Sequence, residues 1–176
     1  GRTESRERIL TCRSQNSGDE SCAQEILSDL AHKAYRRPVA DFELQELMEF
    51  FRQGSDESFE TGIGMALERI LAGPEFLFVT EKIPANVKDG ELYRLSDYEI
   101  ATKLALFLWS SLPDEELLVL AEVGKLSDSD ELDRQIHRML QDSRSKALIE
   151  KFASQWLTLG ILNVAKPNVN VFPYFE

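Results

Sequence analysis

Apolar positions recur every three to four residues through most of this chain, with polar punctuation between the runs. The stretch LSDYEIATKLALFLWSSLPD, residues 95–114, organises the rest. Ser96 followed by Glu99 has capping-box spacing, in which each side chain satisfies a free backbone N–H at a helix start. The run from Leu104 to Trp109 then has no polar break. A helix that is apolar all round is normally buried on every side. At about 1.5 Å per residue the run is too short to span a bilayer, and Asp97 and Lys103 lie within it. The pattern therefore predicts a buried central helix.

The same periodicity places the other elements. Ser17 with Glu20 makes a second capping box, and the helix it starts carries Ala23, Ile26, Leu27, Leu30, Ala31 and Ala34 inward. Arg36 and Arg37 sit at its negative end, and Pro38 stops it. A second helix is expected from Asp41 to Arg52, with Gly54 and Ser55 as the turn. A third is expected from Asp56 to Leu71, stopped by Gly73-Pro74. PEFLFVTE fits a short helical turn or an extended piece, and the Pro, Asn and Asp-Gly residues that follow read as a loop. Pro113 is expected at the first position of a further helix that ends at Gly124. Ser127 is expected to cap the next, through Leu140. The last should start at Asp142 or Ser143, carry Ala147, Leu148, Phe152, Trp156 and Leu159 on one face, and end at Gly160. The expected fold is all-α with about seven helices: an N-terminal three-helix unit, then a helical bundle around the buried central helix. The domain reading is an arm over 1–16, a three-helix domain over 17–80, a linker over 81–92 and a helical domain over 93–176.

Charge narrows the function classes. The net charge of −11 is a poor match to nucleic acid, whose binding depends on Lys and Arg displacing counterions from phosphate. It also disfavours an anionic membrane surface. GRTESRERIL has no apolar core of a signal peptide, and no stretch reads as a transmembrane span. The apolar closing residues Phe172, Pro173, Tyr174 and Phe175 are expected of a piece of a longer protein, since free termini are usually polar.

Candidate chemistry is sparse. Cys12 and Cys22 have nine residues between them and match no metal spacing. They form either a small disulfide loop or two reduced thiols. The disulfide is the expectation, pinning the arm to the first helix; a loop of this size is worth roughly 3 kcal/mol and implies an oxidising compartment. His32 and His137 both fall within expected helices, without an evident partner for base or ligand chemistry. The acidic run Asp128–Asp133 fails as a calcium loop because Asp133 stands where glycine is needed. Arg36 and Arg37 form a guanidinium pair able to hold a carboxylate or phosphate, although a structural clamp at a helix end is the more common use. Trp109 and Trp156, with Phe107 and Phe152, are candidates for a pocket wall or for core. No catalytic constellation is legible, and no metal or cofactor site is expected within these residues.

Several stretches together resemble a known arrangement: ILTCR, Cys22-Ala23, AHKAYRRPV, LAGPEFLF, YRLSDYEIATKLALFLWSSLPDEELL, IEKFASQWL and FPYF. They resemble two adjacent helical domains of unknown function from large secreted proteins of planctomycetes and related bacteria. Such proteins also carry a c-type cytochrome domain and, in some cases, carbohydrate-binding-like modules. The resemblance spans roughly residues 8–80 and 92–176, and implies that the second domain continues past Glu176. It implies an extracytoplasmic location and partners among the other domains of the same parent chain, a c-type haem domain included. The haem itself does not carry over, because Cys12 and Cys22 are not in a Cys-x-x-Cys-His arrangement. The function implied is a non-catalytic scaffold or docking module; the resemblance assigns no site residues, and Arg36, Arg37 and Trp109 are candidate interaction residues on their own chemistry. The alternative is part of a redox or glycan-active enzyme whose site is completed by residues outside this fragment.

Overall fold

The computed structural model describes residues 4–12, 19–88 and 90–163, and every regular element among them is helical. The chain is all-α. Among the described residues there are nine α-helical segments rather than about seven: α1 (Glu4–Ile9), α2 (Glu20–Tyr35), α3 (Asp41–Ser55), α4 (Phe59–Ala72), α5 (Pro74–Leu77), α6 (Asp97–Trp109), α7 (Glu115–Glu122), α8 (Ser129–Gln141) and α9 (Ser154–Trp156). The two extra segments, α1 and α5, are too short to show an apolar period, and α9 is a remnant of the expected last helix.

The first hydrophobic cluster is built by α2, α3 and α4. It centres on Ile26, Leu27, Leu47, Phe51 and Ile70, all essentially inaccessible to solvent. The expected cap Ser17 lies outside the described residues; Asp19 caps α2 instead, accepting from the Cys22 N–H at 3.2 Å. Within the expected arm, α1 forms, and Ile9, Leu10 and Cys12 pack on the cluster. Cys12 and Cys22 are disulfide-bonded with Cα atoms 5.9 Å apart, so the bridge ties this segment to the first turn of α2.

Gly54 and Ser55 do not form the turn. They extend α3, and α4 begins three residues late, capped by Ser58 through the Thr61 N–H. The reason is tertiary. A Cβ on Gly54 would lie 2.8 Å from the Cα of Gly62, and a Cβ on Gly62 would lie 2.6 Å from the Phe51 carbonyl oxygen. Two helical glycines thus let the α3 and α4 backbones nearly touch, which repays the conformational entropy each costs in a helix interior.

The second cluster is built by α6, α7 and α8 around Ala101, Ala105, Leu108, Trp109, Leu117, Leu126 and Met139. The expected capping box is present: Ser96 accepts from the Glu99 N–H, and Glu99 accepts from the Ser96 N–H at 2.7 Å. The helix is not buried on every side, however. Phe107 is 51% exposed and Leu106 37% exposed, because α7 and α8 pack on one face only. Asp114 caps α7 in place of Pro113 at its first position, and Asp128 rather than Ser127 caps α8. Ser127 instead donates its backbone N–H to Asp97 at 3.1 Å, tying the α7–α8 connection to the start of α6. The single helix expected after Asp142 is broken into a 3₁₀ turn at Ser143–Ser145, a π-helical turn at Leu148–Ala153, α9 and a second 3₁₀ turn at Leu159–Asn163.

Candidate functional site

Helix α2 ends against Pro38. The residue before a proline is steered away from helical backbone, so the chain must turn at Arg36 and Arg37. Arg36 takes the left-handed conformation at φ 60°, a position that favours glycine. Its buried guanidinium donates to four carbonyls: Ala34 at 2.9 Å, Phe76 at 3.3 Å, Glu75 at 2.9 Å and Phe78 at 3.0 Å. Three of these belong to α5 and its exit, whose carbonyls lack helical partners. Arg36 therefore bolts α5 to the end of α2. Burial, with the neighbouring cation of Arg37, holds its pKa below the usual guanidinium range.

Arg37 grips Glu43 with both terminal nitrogens, at 2.9 and 2.7 Å. Glu43 also accepts from the Ala40 N–H at 2.9 Å, closing the start of α3. The Arg37 hydrogen bond outweighs burial and keeps the Glu43 carboxyl below the ordinary glutamate range; the same bond raises Arg37.

These arginines line a cleft of about 700 Å³ between the end of α2, the strap that leaves α5, and the start of α6. That volume falls within the span of small-molecule sites. One wall presents Pro74, Phe78 and Val79; the other presents Arg94, Leu95, Tyr98 and Lys103. The strap is fastened at two adjacent residues, Glu81 and Lys82. The Lys82 backbone N–H donates to Glu99 at 2.9 Å, and Glu81 accepts from the Tyr93 hydroxyl at 2.9 Å while pairing with Lys103. The hydrogen bond from Lys103, then that from Tyr93, hold the Glu81 carboxyl below its ordinary value. Burial works against ionisation of Glu99, but the hydrogen bonds from Ser96 and the Lys82 backbone override it. His32 stands behind the cleft, its Nδ1 3.1 Å from the Arg37 carbonyl oxygen and its ring edge-on to Tyr98.

Trp109 is elsewhere. It is buried in the second cluster, and its indole N–H donates to the Met139 carbonyl at 2.9 Å. The Arg144 guanidinium lies 3.4 Å over its ring, and Arg138 is 5.5 Å away. Both arginines bond Asp114, Arg138 at 2.7 Å and Arg144 at 3.5 Å, and Arg144 also bonds Asp142 at 2.7 Å. The Arg144 side chain and then its backbone N–H lower the Asp142 pKa to about 2. This is a structural joint between α6, α7, α8 and the chain beyond, and the fold does not bring it to Arg36 and Arg37.

Phe107, Phe152 and Trp156 do come together, on the surface. Phe107 meets Phe152 edge-on at 5.2 Å, and Phe152 stacks with Trp156 at 5.9 Å. Trp156 is 73% exposed, and Ile149 and Leu157 are exposed beside it. His137 is occupied locally, its Nδ1 2.8 Å from the Asp133 carbonyl. Among the described residues, no group of three or more His, Cys, Asp or Glu side chains is placed to hold a metal ion, and no helix is long and apolar enough to cross a membrane.

Sequence reasoning found Arg36 and Arg37 but not Lys82, Arg94, Tyr98 or Lys103. The polar loop lies between Lys82 and Arg94 and marks neither as a site residue, while Tyr98 and Lys103 lie on α6.

Comparison with known families gives two matches, side by side. Residues 22–81 match the family described as a protein of unknown function, DUF1595, and residues 95–176 match another so described, DUF1592. No curated protein and no solved structure matches the chain. The two family matches, one after the other along the chain, identify it as tandem domains of unknown function.

Proposed function

We propose that this chain is a non-catalytic helical scaffold and docking module of a secreted, multidomain protein. Its partner is another domain of the same parent chain, a c-type haem domain among them. The observation that carries this reading is the contiguous aromatic face of Phe107, Phe152 and Trp156, with Ile149 and Leu157 beside it. Exposed apolar patches of this kind mark interaction surfaces, and rigid aromatic side chains are the usual anchors. The Cys12–Cys22 disulfide supports an oxidising, extracytoplasmic location.

The test uses Trp156 as reporter. The remaining domains of the parent protein are titrated into this chain while tryptophan emission is followed. Docking moves the emission to shorter wavelength, and Phe107→Ser weakens the effect. Emission that stays unchanged at saturating partner refutes docking through this face. The oxidised and reduced visible spectra of the parent protein test the haem association separately: a Soret band that shifts on reduction supports it, and a featureless spectrum removes it.

A second reading rests on the cleft beside Arg36 and Arg37. Here the chain supplies one wall of a redox or glycan-active enzyme completed by residues outside it. Arg37→Ala in the parent protein separates the two readings. Loss of turnover with the fold retained favours the enzyme; loss of stability alone favours the scaffold.

A further inference from the structure

The cleft carries an imbalance of charge that its own fold does not resolve. Five cations line it, Arg36, Arg37, Lys82, Arg94 and Lys103, against three carboxylates, Glu75, Glu81 and Glu99. With Glu43, the partner of Arg37, counted as a fourth carboxylate, an excess of one positive charge remains, against a net charge of −11 for the chain as a whole.

The pairing sharpens the point. Arg37 is neutralised by Glu43, Lys103 by Glu81, and Glu75 faces Arg69 at 3.7 Å. Three cations of the lining make no salt bridge among the described residues. Arg36 is 7% exposed and donates only to neutral carbonyls. Arg94 donates to the neutral Ser127 carbonyl at 2.7 Å. The Lys82 side chain makes no hydrogen bond or salt bridge among the described residues, and its charge acts on Glu43, which Arg37 already pairs. Burying a charge is costly, and for Arg36 the four carbonyls offset that cost without supplying a negative charge. The wall formed by Pro74, Phe78 and Val79 offers apolar surface for a carbon skeleton.

We propose that this cleft binds a small organic oxyanion, with its anionic group held by Lys82 and Arg94, the charge of Arg36 adding to the attraction, and its carbon skeleton against Phe78 and Val79. A carboxylate and a phosphate ester share the required chemistry. The site is distinct from the aromatic docking face and stands or falls without it.

Isothermal titration of this chain with phenylacetate, phenyl phosphate and benzyl alcohol tests the proposal. The three probes share a skeleton and differ in charge. At least one anion binds, weakening with added salt, while the neutral alcohol binds more weakly than either. Lys82→Ala weakens the anion about fivefold, the scale of one partly exposed ion pair. Lys125→Ala, on the exposed surface away from the cleft, leaves it unchanged. Lys82 is exposed, so its replacement leaves the fold intact by circular dichroism. Preference between the two anions assigns the carboxylate or the phosphate source. Three results overturn the proposal: neither anion binds at about 10 mM, a concentration at which even millimolar affinity saturates; the alcohol binds as well as the anions; or Lys82→Ala and Lys125→Ala act alike.

Discussion

Gly62 and Gly64 lie two residues apart in α4, and replacing each by alanine should move stability in opposite directions. A Cβ at Gly62 would sit 2.6 Å from the Phe51 carbonyl oxygen and 2.7 Å from its ring, where ordinary contact is 3.4–4 Å. Phe51 is fully buried, so its backbone and ring have nowhere to retreat, and α3 and α4 must separate. Overpacking of this kind costs up to about 3 kcal/mol. Alanine recovers about 1 kcal/mol of helix propensity. The net for Gly62→Ala is a loss of about 2 kcal/mol. A Cβ at Gly64 meets nothing within 4 Å, so only the propensity gain remains, a stabilisation of about 0.5–1 kcal/mol. Urea titration followed by far-ultraviolet circular dichroism reads both midpoints. Both tryptophans lie in the second half of the chain, so their fluorescence serves as an internal control for the second cluster. If the two variants shift in the same direction, the close α3–α4 approach is not what Gly62 is for.

Three further predictions follow from the same structure. Arg36→Met removes four carbonyl contacts and should destabilise the first cluster by about 2–4 kcal/mol, whereas Arg36→Gly should lose less, because glycine relieves the left-handed backbone; thermal unfolding compares the two. Asp142 titrates at about 2 in the folded chain against 3.8 ordinarily, and Asp114 is also lowered, since its burial is outweighed by the Arg138 hydrogen bond. Groups with depressed folded pKa values stabilise fully above the unfolded value and lose that stabilisation as pH falls through the folded one. The second cluster should therefore hold its melting temperature down to about pH 4 and lose it between there and about pH 2, with a flatter profile in Arg144→Met when tryptophan fluorescence is followed. Reduction of Cys12–Cys22, or Cys12→Ser with Cys22→Ser, should cost the first cluster roughly 3 kcal/mol by the loop-entropy argument, read as a lowered urea midpoint with the second cluster unchanged.

What the sequence revealed was local. The Ser96–Glu99 capping box and the stop at Gly73-Pro74 depend on residues within three or four positions, and both form as expected. The end of α2 at Arg36 was legible from Pro38, but the carbonyls that Arg36 bonds beyond α2 lie 39 to 42 residues further on, which no local pattern carries. Gly54 shows the ambiguity directly. Glycine ends helices and also permits helices to touch, and only the partner Gly62 decides between the two. The exposure of Phe107 was illegible for a similar reason: a continuous apolar run gives the amount of surface to be covered, not which neighbour covers it. The cleft is assembled from residues 35–37 and from two later stretches, 74–84 and 94–103, so its charge excess emerges only on folding.

The π-helical turn at Leu148–Ala153 gives the aromatic face an evolutionary sensitivity out of proportion to its size. A π turn amounts to one residue inserted into an α-helix. Loss of a single codon there would restore the α register and swing everything downstream through about 100°. Phe152 would leave Phe107, and Trp156 would turn away with it, although no aromatic residue had been mutated. Among related chains, single-residue length changes in this turn would therefore re-aim the surface wholesale, while substitutions on the face itself would only tune it.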